Sequence, residues 1–151
     1  MADPIPENYG RVNPSLAIDG AADAVDFYVK VFGAEERMRL DEPDGRIGHT
    51  EIGDSVVMIS DEYPDMGVLG PKSIGGTPVT LSVYVEDVDA TFAAAIAAGA
   101  TAVREVDDQF YGDRAGQFED PFGHRWGVAT HIEDIEPDEM ARRATEMMSG
   151  D

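Results

Sequence analysis

Polar and apolar residues alternate along Asn13-Pro14-Ser15-Leu16-Ala17-Ile18-Asp19, the period-2 signature of a strand with one buried face. The next stretch changes period: Ala22, Val25, Phe27, Tyr28 and Val31 recur at helical spacing, and Gly33-Ala34 ends the run. The same sequence of patterns returns sixty-seven residues later. Thr80 to Glu86 alternates, Val88 to Ala98 carries apolar residues at Val88, Phe92, Ala95 and Ile96, and Gly99-Ala100 closes the helix. Asp19 and Asp87 stand at the two helix starts, where a carboxylate meets unpaired backbone N–H groups.

Three further strand-like pieces follow each helix. In the first half they are about 35–40, 47–52 and 55–60, separated by the turn residues Asp41 to Gly45 and by Gly53-Asp54. In the second they are about 101–106, 115–119 and 125–130, with Asp120-Pro121-Phe122-Gly123 before the last. The chain therefore reads as an α+β protein of two βαβββ repeats, about 12–60 and 78–131. A linker at about 61–77 joins them, and a C-terminal helix at about 137–148 carries Pro137 in its first turn. The two repeats are expected to form a curved mixed sheet around a cleft. Met140, Met147 and Met148 are expected to pack the last helix onto the domain or onto a second subunit.

Composition narrows the function. A length of 151 residues suits one domain, and 31 acidic against 11 basic residues give a formal net charge of −20. Such a surface repels phosphate backbones and anionic lipids, so neither nucleic acid nor membrane is an expected partner. The N-terminus carries no basic or apolar leader, which leads to the expectation of a cytoplasmic protein. The absence of cysteine excludes disulfides, thiolate metal sites and a cysteine nucleophile. Among the basic residues arginine dominates over lysine, a bias that fits a salt-adapted proteome or a GC-rich genome.

Several segments carry a family resemblance: Ala24-Val25-Asp26-Phe27-Tyr28 with Val31-Phe32-Gly33-Ala34-Glu35, the stretch Gly45 to Asp54, the run Asp108 to Arg114, and Asp120-Pro121-Phe122-Gly123-His124-Arg125-Trp126. In this order and spacing they resemble the vicinal oxygen chelate superfamily of glyoxalases, extradiol dioxygenases and bleomycin resistance proteins, in particular its PhnB-like members. The resemblance implies a homodimer and a metal ion held by first-strand and last-strand residues of each half. Those positions fall on Asn13, Thr80, Gly127 and Val57 or Met58, and none of these residue types supplies the imidazole, thiolate or carboxylate that a divalent transition metal needs. No metal and no other cofactor is therefore expected. A metal-free member that binds a small organic molecule, aromatic or cationic, becomes the leading reading. The alternatives are an enzyme of lyase, isomerase or dioxygenase type with a relocated metal or an acid–base pair, and a structural module with an occluded cleft.

Strand alternation nominates the ligand wall. Asn13 and Ser15 share one face of the first strand, and Thr80, Ser82 and Tyr84 share the matching face of its repeat, opposite the apolar face expected under the helices. His49 and Glu51 project to one side of a strand. They form either a structural cross-strand link, part of a ligand site, or a catalytic base with its orienting carboxylate. Tyr111 and Arg114, from the polar and aromatic segment Asp107 to Arg114, and Trp126 on the last strand complete the candidate ligand-binding set.

Overall fold

A computed structural model describes residues 2–150. Each repeat forms a four-stranded mixed sheet backed by one helix. The first comprises β1 (Ser15–Ile18), α1 (Ala21–Phe32), β2 (Glu36–Asp41), β3 (Ile47–Ile52) and β4 (Val57–Asp61), in strand order β1-β4-β3-β2. The second comprises β5 (Thr80–Tyr84), α3 (Val88–Ala97), β6 (Thr101–Asp108), β7 (Asp113–Glu119) and β8 (Arg125–His131), in order β5-β8-β7-β6. In both sheets the first and last strands of the repeat pair in parallel and the rest antiparallel. The chain divides into two compact units, one made by the chain up to Pro78 with Pro121–His124, the other by Val79–Asp120 and the chain from Arg125 onward.

Helical periodicity puts Ala21, Ala24, Val25, Phe27, Tyr28 and Val31 of α1 in the core of the first unit, against β1, β3 and β4. Burying side chains such as Val25 or Phe27 contributes roughly 1.5–3 kcal/mol each. Leu16 and Ile18 of β1 and Ile59 of β4 supply the sheet side. In the second unit α3 buries Val88, Phe92 and Ala95, with the Phe92 ring edge-on to Phe118 at 6.2 Å, whereas Ile96 faces outward.

The helix starts differ from the sequence expectation. Asp87 caps α3 by accepting from the Ala90 N–H at 3.1 Å. Asp19 makes no such bond; α1 is capped by Asp61, at the end of β4, whose Oδ1 accepts from the Gly20 and Ala21 N–H groups at 3.1 and 3.0 Å. At the corresponding end of β8, the Thr130 hydroxyl accepts from the Val88 N–H at 2.9 Å and donates to the Val85 carbonyl at 2.8 Å.

The inter-repeat segment is folded, with a 3-10 turn at Pro64–Met66 and a short helix α2 (Pro71–Ile74). The final helix, α4 (Pro137–Ser149), buries no residue; Met140 is half-buried, and Met147 and Met148 are exposed rather than packed. Arg143 links it to the rest of the unit, pairing with Glu133 at 2.9 Å and donating to the Phe110 carbonyl at 3.5 Å. Among the described residues no helix is long and apolar enough to cross a membrane.

Candidate functional site

In the second sheet the register aligns four residues across the strands: Ser82 opposite Gly127, Gly127 opposite Gln117, and Gln117 opposite Arg104. This row forms the floor of a cavity of about 220 Å³, lined also by Tyr84 beyond Ser82, by Tyr111 and by Asp113 at the start of β7. Gly127 has no positive φ, and a Cβ there would meet Ser82 Oγ at 3.6 Å, Thr80 Cγ2 at 3.8 Å and Gln117 Cγ at 3.9 Å, all ordinary contacts. Neither backbone geometry nor packing within the chain demands glycine at this position. A strand glycine of this kind leaves room for close approach of another molecule.

At the end of the same floor a buried carboxylate organises two donors. The Tyr84 hydroxyl donates to Asp113 Oδ2 at 2.8 Å, and His131 Nδ1 donates to Asp113 Oδ1 at 2.8 Å. The other His131 nitrogen, Nε2, faces Asp134 Oδ1 at 2.7 Å. Two carboxylate partners require both ring nitrogens to donate, so the imidazolium is favoured: Asp113 first and Asp134 second hold the His131 pKa above its usual value. The hydrogen bond to Asp113 likewise raises the Tyr84 phenol. A group whose pKa is raised on folding stabilises below its unfolded value, and the contribution disappears as pH rises through the folded one. His131→Gln is accordingly expected to lose stability relative to the parent in urea unfolding at pH 5.5, with the gap closing as pH rises through the raised folded-state pKa and His131 becomes neutral in the folded as in the unfolded chain. A gap independent of pH would show that the imidazolium is not the stabilising species.

The first sheet has the equivalent row, with Ser15 opposite Met58, Met58 opposite Glu51, and Glu51 opposite Met38. Met58 is therefore the counterpart of Gly127, and Glu51 that of Gln117. A concavity of about 360 Å³ lies on this face, lined by Ser15, His49, Met58, Ser60, Tyr63 and Met66. His49 Nε2 lies 2.7 Å from Glu51 Oε2, and the Tyr9 hydroxyl donates to Glu51 Oε1. Arg37 lies over the Tyr9 ring at 5.3 Å. The bond from Tyr9, then that from His49, holds the Glu51 carboxyl below its usual range although its side chain is only 7% exposed. An ionised Glu51 accepts and cannot donate, so the proton of this bond is carried by Nε2 of His49.

Strand alternation separates the nominated residues into two groups. Ser82, Tyr84 and Tyr111 line the second cavity, and Ser15 and His49 the first concavity with Glu51 bound behind His49. Thr80 stands beside Ser82 outside the lining, and Asn13 precedes β1 with its amide turned to the Gly10 carbonyl at 2.7 Å. Arg114 and Trp126 lie on the opposite, helix-facing side of their strands. Arg114 forks onto Asp89 of α3 at 2.8 and 3.0 Å, while Trp126 is 3% exposed and donates its indole N–H to buried Asp120 at 2.9 Å. Arg104 and Gln117 in one half, and Tyr9 and Tyr63 in the other, are not nominated by the sequence; Gln109 enters only within the segment Asp107 to Arg114, and Gly127 and Met58 only as positions where the resemblance implies metal ligands.

The metal implied by the family resemblance finds no donor set here. The register brings serine beside methionine in one half and serine beside glycine in the other, and among the described residues no three His, Cys, Asp or Glu side chains converge on one point.

Two helix-backed sheets of identical βαβββ topology define the vicinal oxygen chelate class. Residues 11–128 match the model of the Glyoxalase/Bleomycin resistance protein/Dioxygenase superfamily, and the chain belongs to that family. The protein Mb0911c of Mycobacterium bovis is 44% identical over 134 residues, covering 85% of this chain and 88% of that protein. TioX from Micromonospora sp. ML1 superposes with a TM-score of 0.62 at 30% identity, over 82% of this chain and 99% of that one. TnmS3 of Streptomyces sp. CB03234, described as an antibiotic binding protein, superposes with a TM-score of 0.59 at 21% identity, over 79% of this chain and 93% of that one.

Proposed function

We propose that this protein is a metal-independent binding protein, and that its second half holds a small, flat organic molecule on the floor left open by Gly127. The carrying observation is that glycine sits where a side chain would meet only ordinary contacts, at the centre of a polar row. Ser82 and Gln117 offer hydrogen bonds beside it, and the Tyr84 and Tyr111 rings stand at the margin. The Asp113 charge is already engaged by Tyr84 and His131, whereas Arg104 has no carboxylate partner among the described residues. A neutral or anionic substituent on the ligand suits that balance. The antibiotic-binding role of TnmS3 supports binding as the function class; its identity to this chain carries the fold and not the ligand.

Native mass spectrometry of the protein isolated from its own host tests the reading, since it reports subunit number, metal and retained ligand together. An organic adduct without stoichiometric metal is expected, and Gly127→Leu should lose the adduct while unfolding at the same temperature within about 2 °C. A stoichiometric zinc, nickel or manganese ion, or an adduct indifferent to Gly127→Leu, would overturn it.

A further inference from the structure

We infer, on the reading that the second half binds an organic molecule over Gly127, that the molecule is an aromatic monocarboxylate whose carboxylate is held by Arg104. In a chain of 31 acidic and 11 basic residues a cation has many carboxylates to choose from. Three other arginines of the same unit are held in this way: Arg114 by Asp89 and Asp108, Arg142 by Glu139, and Arg143 by Glu133. Arg104 makes no ion pair among the described residues, although it lines the cavity and stands opposite Gln117, on the face that Ser82 and Gly127 share. From the strand order, two strand spacings of about 4.8 Å separate it from Gly127. A long side chain from one end and a carboxylate on a ring lying over the glycine from the other close that span.

The lining fits one negative charge on a flat body. Among the described residues Arg104 is the only lysine or arginine that lines this cavity, and its guanidinium fork matches the two oxygens of a carboxylate. A phosphate carries close to a second charge at neutral pH, which calls for further cations that the lining lacks, and the formal charge of −20 opposes it more strongly. Asp113 begins β7, four residues before Gln117 and so roughly 13 Å along the strand. Its charge turns an anion away from the Tyr84 end and towards Arg104. Tyr84 is 68% exposed, yet its hydroxyl is bonded to Asp113, so the ring is held in place before a ligand arrives. An aromatic ring fixed in this way meets a ligand ring at little cost in entropy. A cavity of about 220 Å³ lies below the usual range for drug-sized molecules, which limits the body to one or two rings.

The test titrates benzoate, its neutral isostere benzamide, benzylamine and phenyl phosphate into the full chain at pH 7, followed by ligand-observed NMR. Benzoate should bind about tenfold more tightly than benzamide or benzylammonium, and phenyl phosphate no more tightly than benzoate. Arg104→Gln should bring benzoate down to the level of benzamide and leave benzamide unchanged, while Arg104→Lys, which keeps the charge and loses the fork, should fall between. Arg104 is exposed, so both variants should unfold within about 2 °C of the parent. Gly127→Leu should weaken benzoate and benzamide alike. Equal binding of the two, with both lost in Gly127→Leu, would overturn the carboxylate and leave the Gly127 site standing. Benzoate binding indifferent to Arg104→Gln, tighter binding of phenyl phosphate, or no binding of benzoate would overturn it as well. The organic adduct seen by native mass spectrometry tests the binding reading separately, so the two fail independently.

Discussion

Asp61→Ala is expected to lower the unfolding free energy by about 3 kcal/mol, the sum of a lost helix cap and buried N–H groups left unpaired. The residue is 8% exposed, and both oxygens are committed: Oδ1 to the N–H groups of Gly20 and Ala21 at the start of α1, and Oδ2 to the Ile47 N–H at 2.7 Å. One carboxylate thus ties the start of the helix, the end of β4 and the start of β3 together. Asp61→Asn retains an oxygen for the cap and presents an NH₂ group to the Ile47 donor, so its loss should be intermediate. Urea titrations at constant m-value would measure both. A loss under about 1 kcal/mol for alanine would mean that water replaces the carboxylate at all three donors.

Gly112→Ala is expected to cost at least about 3 kcal/mol, since it combines a left-handed backbone with a direct collision. Gly112 has φ +97°, and a Cβ would stand 2.2 Å from the Glu133 carbonyl oxygen. The contact is close because the Gly112 carbonyl accepts from the N–H groups of Ile132 and Glu133, at 2.9 and 3.1 Å, which fastens the turn between β6 and β7 to the segment after β8. Those bonds must break to admit the methyl group. Gln109 and Tyr111 on that turn rim the second cavity, so ligand affinity there should fall along with the urea midpoint. A variant with parental stability would show that the turn is not held down by these two bonds in solution.

Much of the fold is legible in the chain because each repeat obeys local rules: alternation gives β1 and β5, helical spacing gives α1 and α3, and turn chemistry separates the rest. Long-range satisfaction is not legible. Asp19 occupies the textual position of a cap, yet the bond to α1 comes from Asp61, some forty residues on, where the sequence reads as the beginning of a linker. The segment Asp107 to Arg114 has the composition of a loop, but Asp107 pairs with Ala115 and Asp108 with Arg114, which extends the hairpin and leaves only residues 109–112 outside it.

The candidate site was legible in proportion to how far alternation was applied. It selected Ser15, Ser82 and Tyr84 on the first strands of the repeats. The same rule on β7 and β8 separates Gln117 and Gly127 from their neighbours Phe118 and Trp126, and Arg114 from Ala115. Tryptophan and arginine are nominated by residue type, whereas Gly127 enters only as a position where the resemblance implies a metal ligand and not as part of a ligand wall. Tyr9 and Tyr63 lie in segments without periodicity, so nothing local announces that one holds Glu51 and the other lines the first concavity.

The pairing of Ser15 with Met58 and of Ser82 with Gly127 makes the molecule its own reference state. Transplanting one cross-strand row onto the other sheet would hold strand order and register fixed while exchanging chemistry. Selectivity that travels with the transplanted side chains would belong to them; selectivity that stays behind would belong to the frame.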